Sequence, residues 1–161
     1  MIDLDKFKIR NSSLKESNKK FLNKLKKTRP NNLDSQVQDI HDNVFREVDC
    51  LTCANCCKTT SPIFYQRDIE RLAKHFRMKP SDFISKYLHV DEDKDYVLNG
   101  APCPFLSGDN YCSVYENRPL ACQEYPHTNR KRFYQLLDLT MKNTEICPAV
   151  VEILERLKKV Y

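Results

Sequence analysis

Four thiols fall within eight residues at Cys50-Leu51-Thr52-Cys53-Ala54-Asn55-Cys56-Cys57. A small core packs well with Leu, Ile and Val alone, so packing does not explain this density. A soft, positively charged guest does. The other four cysteines, Cys103, Cys112, Cys122 and Cys147, all follow the cluster. Cys-x-x-Cys closes a tight turn whose backbone N–H groups point back at sulfur and favour the thiolate. Cys50, Cys53 and Cys56, at intervals of three, can give three ligands from one loop. A structural zinc or an Fe4S4 cluster takes four. Adjacent side chains diverge, so Cys56 and Cys57 need not serve the same centre. Eight cysteines therefore allow two four-sulfur sites that split the vicinal pair, or one site plus unliganded thiols. Spacing leaves the choice open.

An even cysteine count suits disulfides equally, so the compartment has to decide. The chain opens Met1-Ile2-Asp3-Leu4-Asp5-Lys6 with mixed charge, and no apolar signal-peptide core follows. No run reaches the length of a membrane-spanning helix. The expectation is a cytoplasmic protein whose thiols stay reduced and bind metal. Mean hydropathy is −0.65 and Trp is absent, so the core is modest and a metal would supplement it.

The net charge of +5 is unevenly placed. Residues 1–32 carry ten Lys or Arg against three acids, and the remaining 129 residues are slightly acidic. The chain divides accordingly into a basic N-terminal helical arm, 1–32, and a cysteine-cluster domain, 33–161. A basic arm can grip nucleic acid, an acidic partner or a membrane surface, but a solvated basic helix is the plainer reading. Phe7, Leu14 and Phe21 repeat every seven residues along a helix over 1–29, which Pro30-Asn31-Asn32 ends. Leu33, Val37, Ile40, Val44 and Val48 form the stripe of a second helix leading to Cys50.

Beyond the cluster, Pro62–Tyr65 reads as extended and Asp68–Phe76 as helical. Pro80 starts another helix, whose face is Phe83, Ile84, Tyr87 and Leu88. That second helix has one basic residue, so a DNA-reading helix-turn-helix is disfavoured. Asp91–Asp95 is a surface loop and Tyr96-Val97-Leu98 a short strand. Ser107-Gly108-Asp109-Asn110 predicts a hairpin in which Phe105 faces Cys112, bringing Cys103 and Cys112 near enough to share a metal. Short helices follow around Cys122, over 132–141, and after Cys147-Pro148 with Val150, Ile153, Leu154, Leu157 and Val160 inward. The predicted fold class is α+β, mainly α: a small metal-centred domain with short helices and one β-hairpin. With Gly at only two positions, neither a P-loop nor a dinucleotide fingerprint can be built.

The ordered set Cys50-x2-Cys53-x2-Cys56-Cys57, then Cys103-Pro104-Phe105-Leu106, then Cys112-x2-Tyr115-Glu116-x-Arg118-Pro119-x2-Cys122-x3-Pro126, then Cys147 resembles the CxxCxxCC family. That family groups cysteine-cluster proteins described as zinc- or iron-chelating and often labelled Fe–S oxidoreductases. The resemblance covers about residues 48–150 and fills all eight cysteine positions. It implies that all eight ligate metal, as zinc or an iron–sulfur (4Fe-4S) cluster, in one or two centres. Enzyme activity as an Fe–S oxidoreductase rests on this resemblance alone.

Arg118 is a candidate for contact with the cofactor: it could donate to a thiolate, or to Glu116 or Glu124, and offset negative charge. A surface ion pair is its plainer role. His127 could stand in for a thiolate on zinc, though a merely packed or exposed His is the commoner outcome. His41, His75 and His89 fall on predicted helices without a partner pattern. The functional expectation is a cysteine-cluster chelator with a redox or electron-transfer support role, working with a protein partner. The competing expectation is a structural zinc module that meets protein or nucleic acid through the basic arm.

Overall fold

The computed structural model describes residues 3–161, so residues 1 and 2 of the expected first helix lie outside it. In chain order the helices are α1 (Leu4–Thr28), α2 (Leu33–Glu47), α3 (Cys50–Cys53), α4 (Asn55–Thr59), α5 (Gln66–His75) and α6 (Pro80–Tyr87). Strands β1 (Leu88–Val90) and β2 (Tyr96–Leu98) follow, and then α7 (Leu120–Glu124), α8 (Leu137–Asn143) and α9 (Pro148–Leu157). The class is α+β, mainly α. The chain forms two compact units: residues 1–53 with 126–161, and residues 54–125. The sequence boundary after residue 32 falls inside the first unit, between α1 and α2.

In the first unit, the Asp3 carboxylate caps α1 by accepting from the backbone N–H groups of Asp5 and Lys6, at 3.1 Å each. Arg29 ends it in the left-handed region (φ 42°), with its N–H on Leu25 O, and Pro30 prevents resumption. The heptad stripe is buried at Phe7 and Phe21, and Leu22 and Leu25 join it. Phe21, Leu22 and Leu25 pack with Leu33 and Val37 of α2, Phe133, Leu137 of α8, and Leu154 and Leu157 of α9. A second cluster joins Val44 to Ala149 and Ile153, with Val48 and Cys147 packed against it. The Asp34 carboxylate accepts from the backbone N–H groups of Arg132 (2.7 Å) and Phe133 (2.9 Å), fixing the entry to α8. Where one helix over 132–141 is expected, a 3-10 turn at Phe133–Gln135 precedes α8. Val160, expected inward, is exposed beyond the end of α9.

The second unit is built on aromatic rings. Phe83 is fully buried and touches Phe64, Phe76, Tyr87 and Phe105, with ring centroids 5.0–6.3 Å apart. Ile69, Leu72, Ala73, Leu88, Leu98 and Val114 complete this core. Pro80 sits at the start of α6, as its fixed φ favours.

The hairpin lies elsewhere than expected. β1 and β2 pair antiparallel with Leu88 opposite Leu98 and Val90 opposite Tyr96. The acidic segment 91–95 is its loop, closed by the Asp91 carboxylate on the N–H groups of Asp93 (3.0 Å) and Asp95 (2.9 Å). Leu88, expected on the helix face, opens β1, and His89 is likewise in a strand. Around Cys112 there is a single bridge, Leu106 to Cys112, one residue out of the expected Phe105 register. Ser107 N–H bonds Tyr111 O (2.8 Å), which makes the loop one residue longer than a four-residue turn. Pro104 has no N–H to extend the pairing toward Cys103.

Phe83→Ala removes the ring at the centre of the aromatic cluster. The expected cost is about 3–5 kcal/mol, measured as a lower denaturation midpoint.

Candidate metal centre

Chain division separates the eight cysteines. Cys50, Cys53 and Cys147 belong to the first unit, and Cys56, Cys57, Cys103, Cys112 and Cys122 to the second. None of the eight is in a disulfide; Cys50 is exposed and the rest are partly buried.

In the second unit, α4 carries Cys56 and Cys57. Ala54 turns the chain into α4 with φ 49°, in the left-handed region. The backbone of Cys57 then receives the Cys103 segment directly, with Cys103 N–H on Cys57 O at 2.8 Å. The 106–112 loop returns Cys112 toward Cys103, and α7 brings Cys122. These four sulfurs come within electrostatic reach of one another: Cys122 feels Cys57, Cys103 and Cys112, and Cys103 feels Cys57 and Cys112.

Burial pushes the Cys103 thiol up to about 11 and the Cys122 thiol up to about 12, and the neighbouring sulfurs add to both shifts. Cys112 is raised for the same reasons. Cys57 runs the other way, down to about 7, chiefly through a hydrogen bond from Cys56 and further through the charge of Lys58.

Backbone amides lie near two of the sulfurs: those of Phe105 and Leu106 ease ionisation of Cys103, and that of Val114 eases ionisation of Cys112. Such donors favour a thiolate over a thiol and orient it, which is what a metal-bound sulfur requires. Arg118 donates to Tyr115 O (2.8 Å) and lies 3.8 Å over the Tyr115 ring. Its charge lowers the proton affinity of both Cys112 and Cys122, opposing the larger effect of burial. Donor chemistry thus fits a soft metal: four sulfurs, amides near two of them, and one nearby cation. Among the described residues, no three Cys, His, Asp or Glu side chains are already gathered tightly enough to hold a single ion.

The first unit carries the other three cysteines assigned above. Cys50 and Cys53 are the two ends of α3. Cys147 caps α9 and is pushed up to about 12 by burial and by the charges of Cys50 and Cys53, against the pull of Ala149 and Val150 N–H. His127, with φ 67°, also belongs to this unit. His41 is engaged with Thr128 Oγ1 at 2.7 Å.

Sequence reasoning missed two residues that hold the site. Asp68, buried in the first turn of α5, accepts from Tyr65 N–H (3.0 Å), Arg71 Nη2 (2.7 Å) and Leu120 N–H (3.1 Å). Arg71 in turn donates to Asn117 O (3.3 Å) and Arg118 O (2.9 Å). Together they bolt the segment leading to Cys122 onto α5. Asp68 was legible as a first-turn acid; its reach to Leu120, 52 residues on, was not. An open cavity of about 430 Å³ lies at this junction, lined by Tyr65, Arg67, Leu120 and Gln123 as well as the pair.

A mainly α scaffold that gathers thiols from several segments, with amides near them, is that of a cysteine-cluster protein. The chain belongs to the CxxCxxCC family, described as "Putative zinc- or iron-chelating domain", whose pattern matches residues 49–148. No curated protein and no solved structure matches the chain.

Asp68→Ala would leave Arg71 without its carboxylate partner and two backbone donors unmet. The expected destabilisation is about 2–4 kcal/mol, with faster hydrogen exchange at the Leu120 and Cys122 amides. pH acts with opposite signs on the two forms. In the metal-free chain, the stability from burying neutral Cys103, Cys122 and Cys147 is whole below their ordinary value of 9.0. It is lost as pH rises toward 12. Metal binding needs thiolates, so affinity weakens as pH falls. Denaturation of reduced, chelator-treated protein across the alkaline range, beside metal titrations at neutral and acid pH, measures both.

Proposed function

We propose that this protein chelates a soft metal centre through Cys57, Cys103, Cys112 and Cys122, as an iron–sulfur cluster with a redox support role. The observation that carries this is that four thiols from four separate stretches of one compact unit lie within electrostatic reach of one another. Each thiol is partly rather than fully buried, so the centre has an edge open to electron exchange. When bound, the cluster supplies one-electron chemistry. The chain supplies the thiolates, the amide donors of Phe105, Leu106 and Val114, and the charge of Arg118. The expected setting is the cytoplasm, where thiols stay reduced.

The partner in this reading is a protein. Nucleic acid is disfavoured because three of the arm's ten cations are paired with acids of the first unit. Arg10 pairs with Glu152 (3.1 Å), Lys15 with Glu145 (2.8 Å) and Lys26 with Asp138 (2.6 Å). These exposed pairs contribute little stability individually, but they lower the field available to phosphates. A zinc form of the same sulfur set would make the protein a structural module instead.

Anaerobic purification with metal and sulfide analysis and a visible spectrum tests the reading. The expected result is a brown protein carrying iron with matching sulfide, about four irons per cluster. A colourless zinc protein would sustain chelation and overturn the redox role. Metal-free protein from both anaerobic and zinc-supplemented preparations would overturn chelation itself.

A further inference from the structure

We infer that the first unit carries a docking surface for an acidic, Asp- and Glu-rich segment of the partner protein, formed by Lys27, Arg29, Lys131 and Arg132. This rests on the reading that the partner is a protein and is independent of which metal the chain holds. The charge division of the sequence conceals the surface. Residues 33–161 are slightly acidic as a whole, yet Arg130-Lys131-Arg132 places three cations in succession there, all exposed. Folding sets that run against the basic end of α1. The carboxylate of Asp34, the second residue of α2, accepts from the backbone N–H groups of Arg132 and Phe133. Arg29, just past the end of α1, lies with its guanidinium carbon 5.2 Å from the centre of the Tyr134 ring. Two stretches far apart in the chain therefore bring their cations to one end of α1.

Both arginines are held in place by the backbone. Arg29 and Arg132 lie in the left-handed region, at φ 42° and φ 59°, where glycine or asparagine would sit at less cost. Each is pinned there by its own N–H, on Leu25 O for Arg29 (2.9 Å) and on Asp34 for Arg132 (2.7 Å). A strained backbone under a charged side chain points to a position kept for what that side chain contacts. The acids nearby are already engaged. Asp34 spends its two oxygens on backbone amides, and Asp138 pairs with Lys26. No ion pair among the described residues uses the side chains of Lys27, Arg29, Lys131 or Arg132. Their charge is free to meet carboxylates brought by another chain.

Guanidinium forks grip carboxylates and phosphates alike, so the extent of the patch decides between them. A nucleic acid follows a basic track along its backbone. On the side of α1 that meets α8 and α9, Lys26, Lys15 and Arg10 are each paired with an acid. The positive field there is confined to the end of the helix and the 130–132 run, which suits a short row of carboxylates.

Fluorescence anisotropy of the full chain, purified anaerobically, tests this with a labelled oligoglutamate peptide beside a single-stranded DNA oligomer of equal charge. The peptide is expected to bind more tightly than the DNA. Lys131→Glu/Arg132→Glu and Lys27→Glu/Arg29→Glu should each weaken peptide binding by about tenfold or more. Lys131→Gln/Arg132→Gln removes the charge without reversing it and should give a smaller loss in the same direction. Lys19→Glu/Lys20→Glu, which reverses two exposed cations further back on α1, should stay within about twofold of wild type. Helical circular dichroism and metal content are measured on every sample. A wild-type chain that leaves oligoglutamate unbound would overturn the inference. So would an equal loss in the Lys19/Lys20 variant, no loss in the glutamine variant, or tighter binding of the DNA that the patch variants abolish. Peptide binding that persists in a metal-free sample would support the surface while counting against the chelating function alone.

Discussion

A thiolate removed from water needs a positive partner, and this chain partly buries seven of its eight cysteines. Neutral thiols are the form that burial prefers, which is why Cys103, Cys122 and Cys147 hold their protons so tightly. A soft cation reverses that preference by supplying the missing charge. The backbone is prepared for the reversal, since amides near sulfur favour the charged form. Burial and the amides thus pull oppositely on the same sulfurs, and metal decides between them.

The rest of the fold serves to bring distant cysteines to that balance. In the second unit, the stacked rings of Phe76, Phe83 and Phe105 fix the segment on which Cys103 lies. The Asp68–Arg71 pair then ties the approach to Cys122 onto α5. A buried carboxylate is costly unless each of its acceptor sites is used, and three donors use those of Asp68. In the first unit, the corresponding work is apolar, with Val44, Ala149 and Ile153 closing around Cys147.

The basic N-terminal helix has a more ordinary explanation than its charge suggests. Its apolar stripe supplies part of the first unit's core, and several of its cations face acids of α8, α9 or the turn between them. Two polar residues, Asn11 and Asn18, interrupt that stripe one heptad apart and are buried with it. An apolar-periodicity argument passes over them because it counts only hydrophobic positions.

Local chemistry is what the sequence determined. Helix starts and stops follow from Asp3, Pro30 and Pro80, core faces from the spacing of Leu33, Val37 and Val44, and membership of a zinc- or iron-chelating family from the cysteine order. Tertiary structure decided which sulfurs meet. The hairpin at 88–98 escaped notice because three-residue strands carry too few side chains to show a period of two, and Leu88 continues a helical pattern. The Leu106–Cys112 register turned on one backbone hydrogen bond, from Ser107 to Tyr111. Asp68 and Leu120 meet through chain folding that no local spacing encodes. Spacing along the chain fixes which thiols are neighbours in a turn, but grouping across a hundred residues is set by which apolar faces find each other.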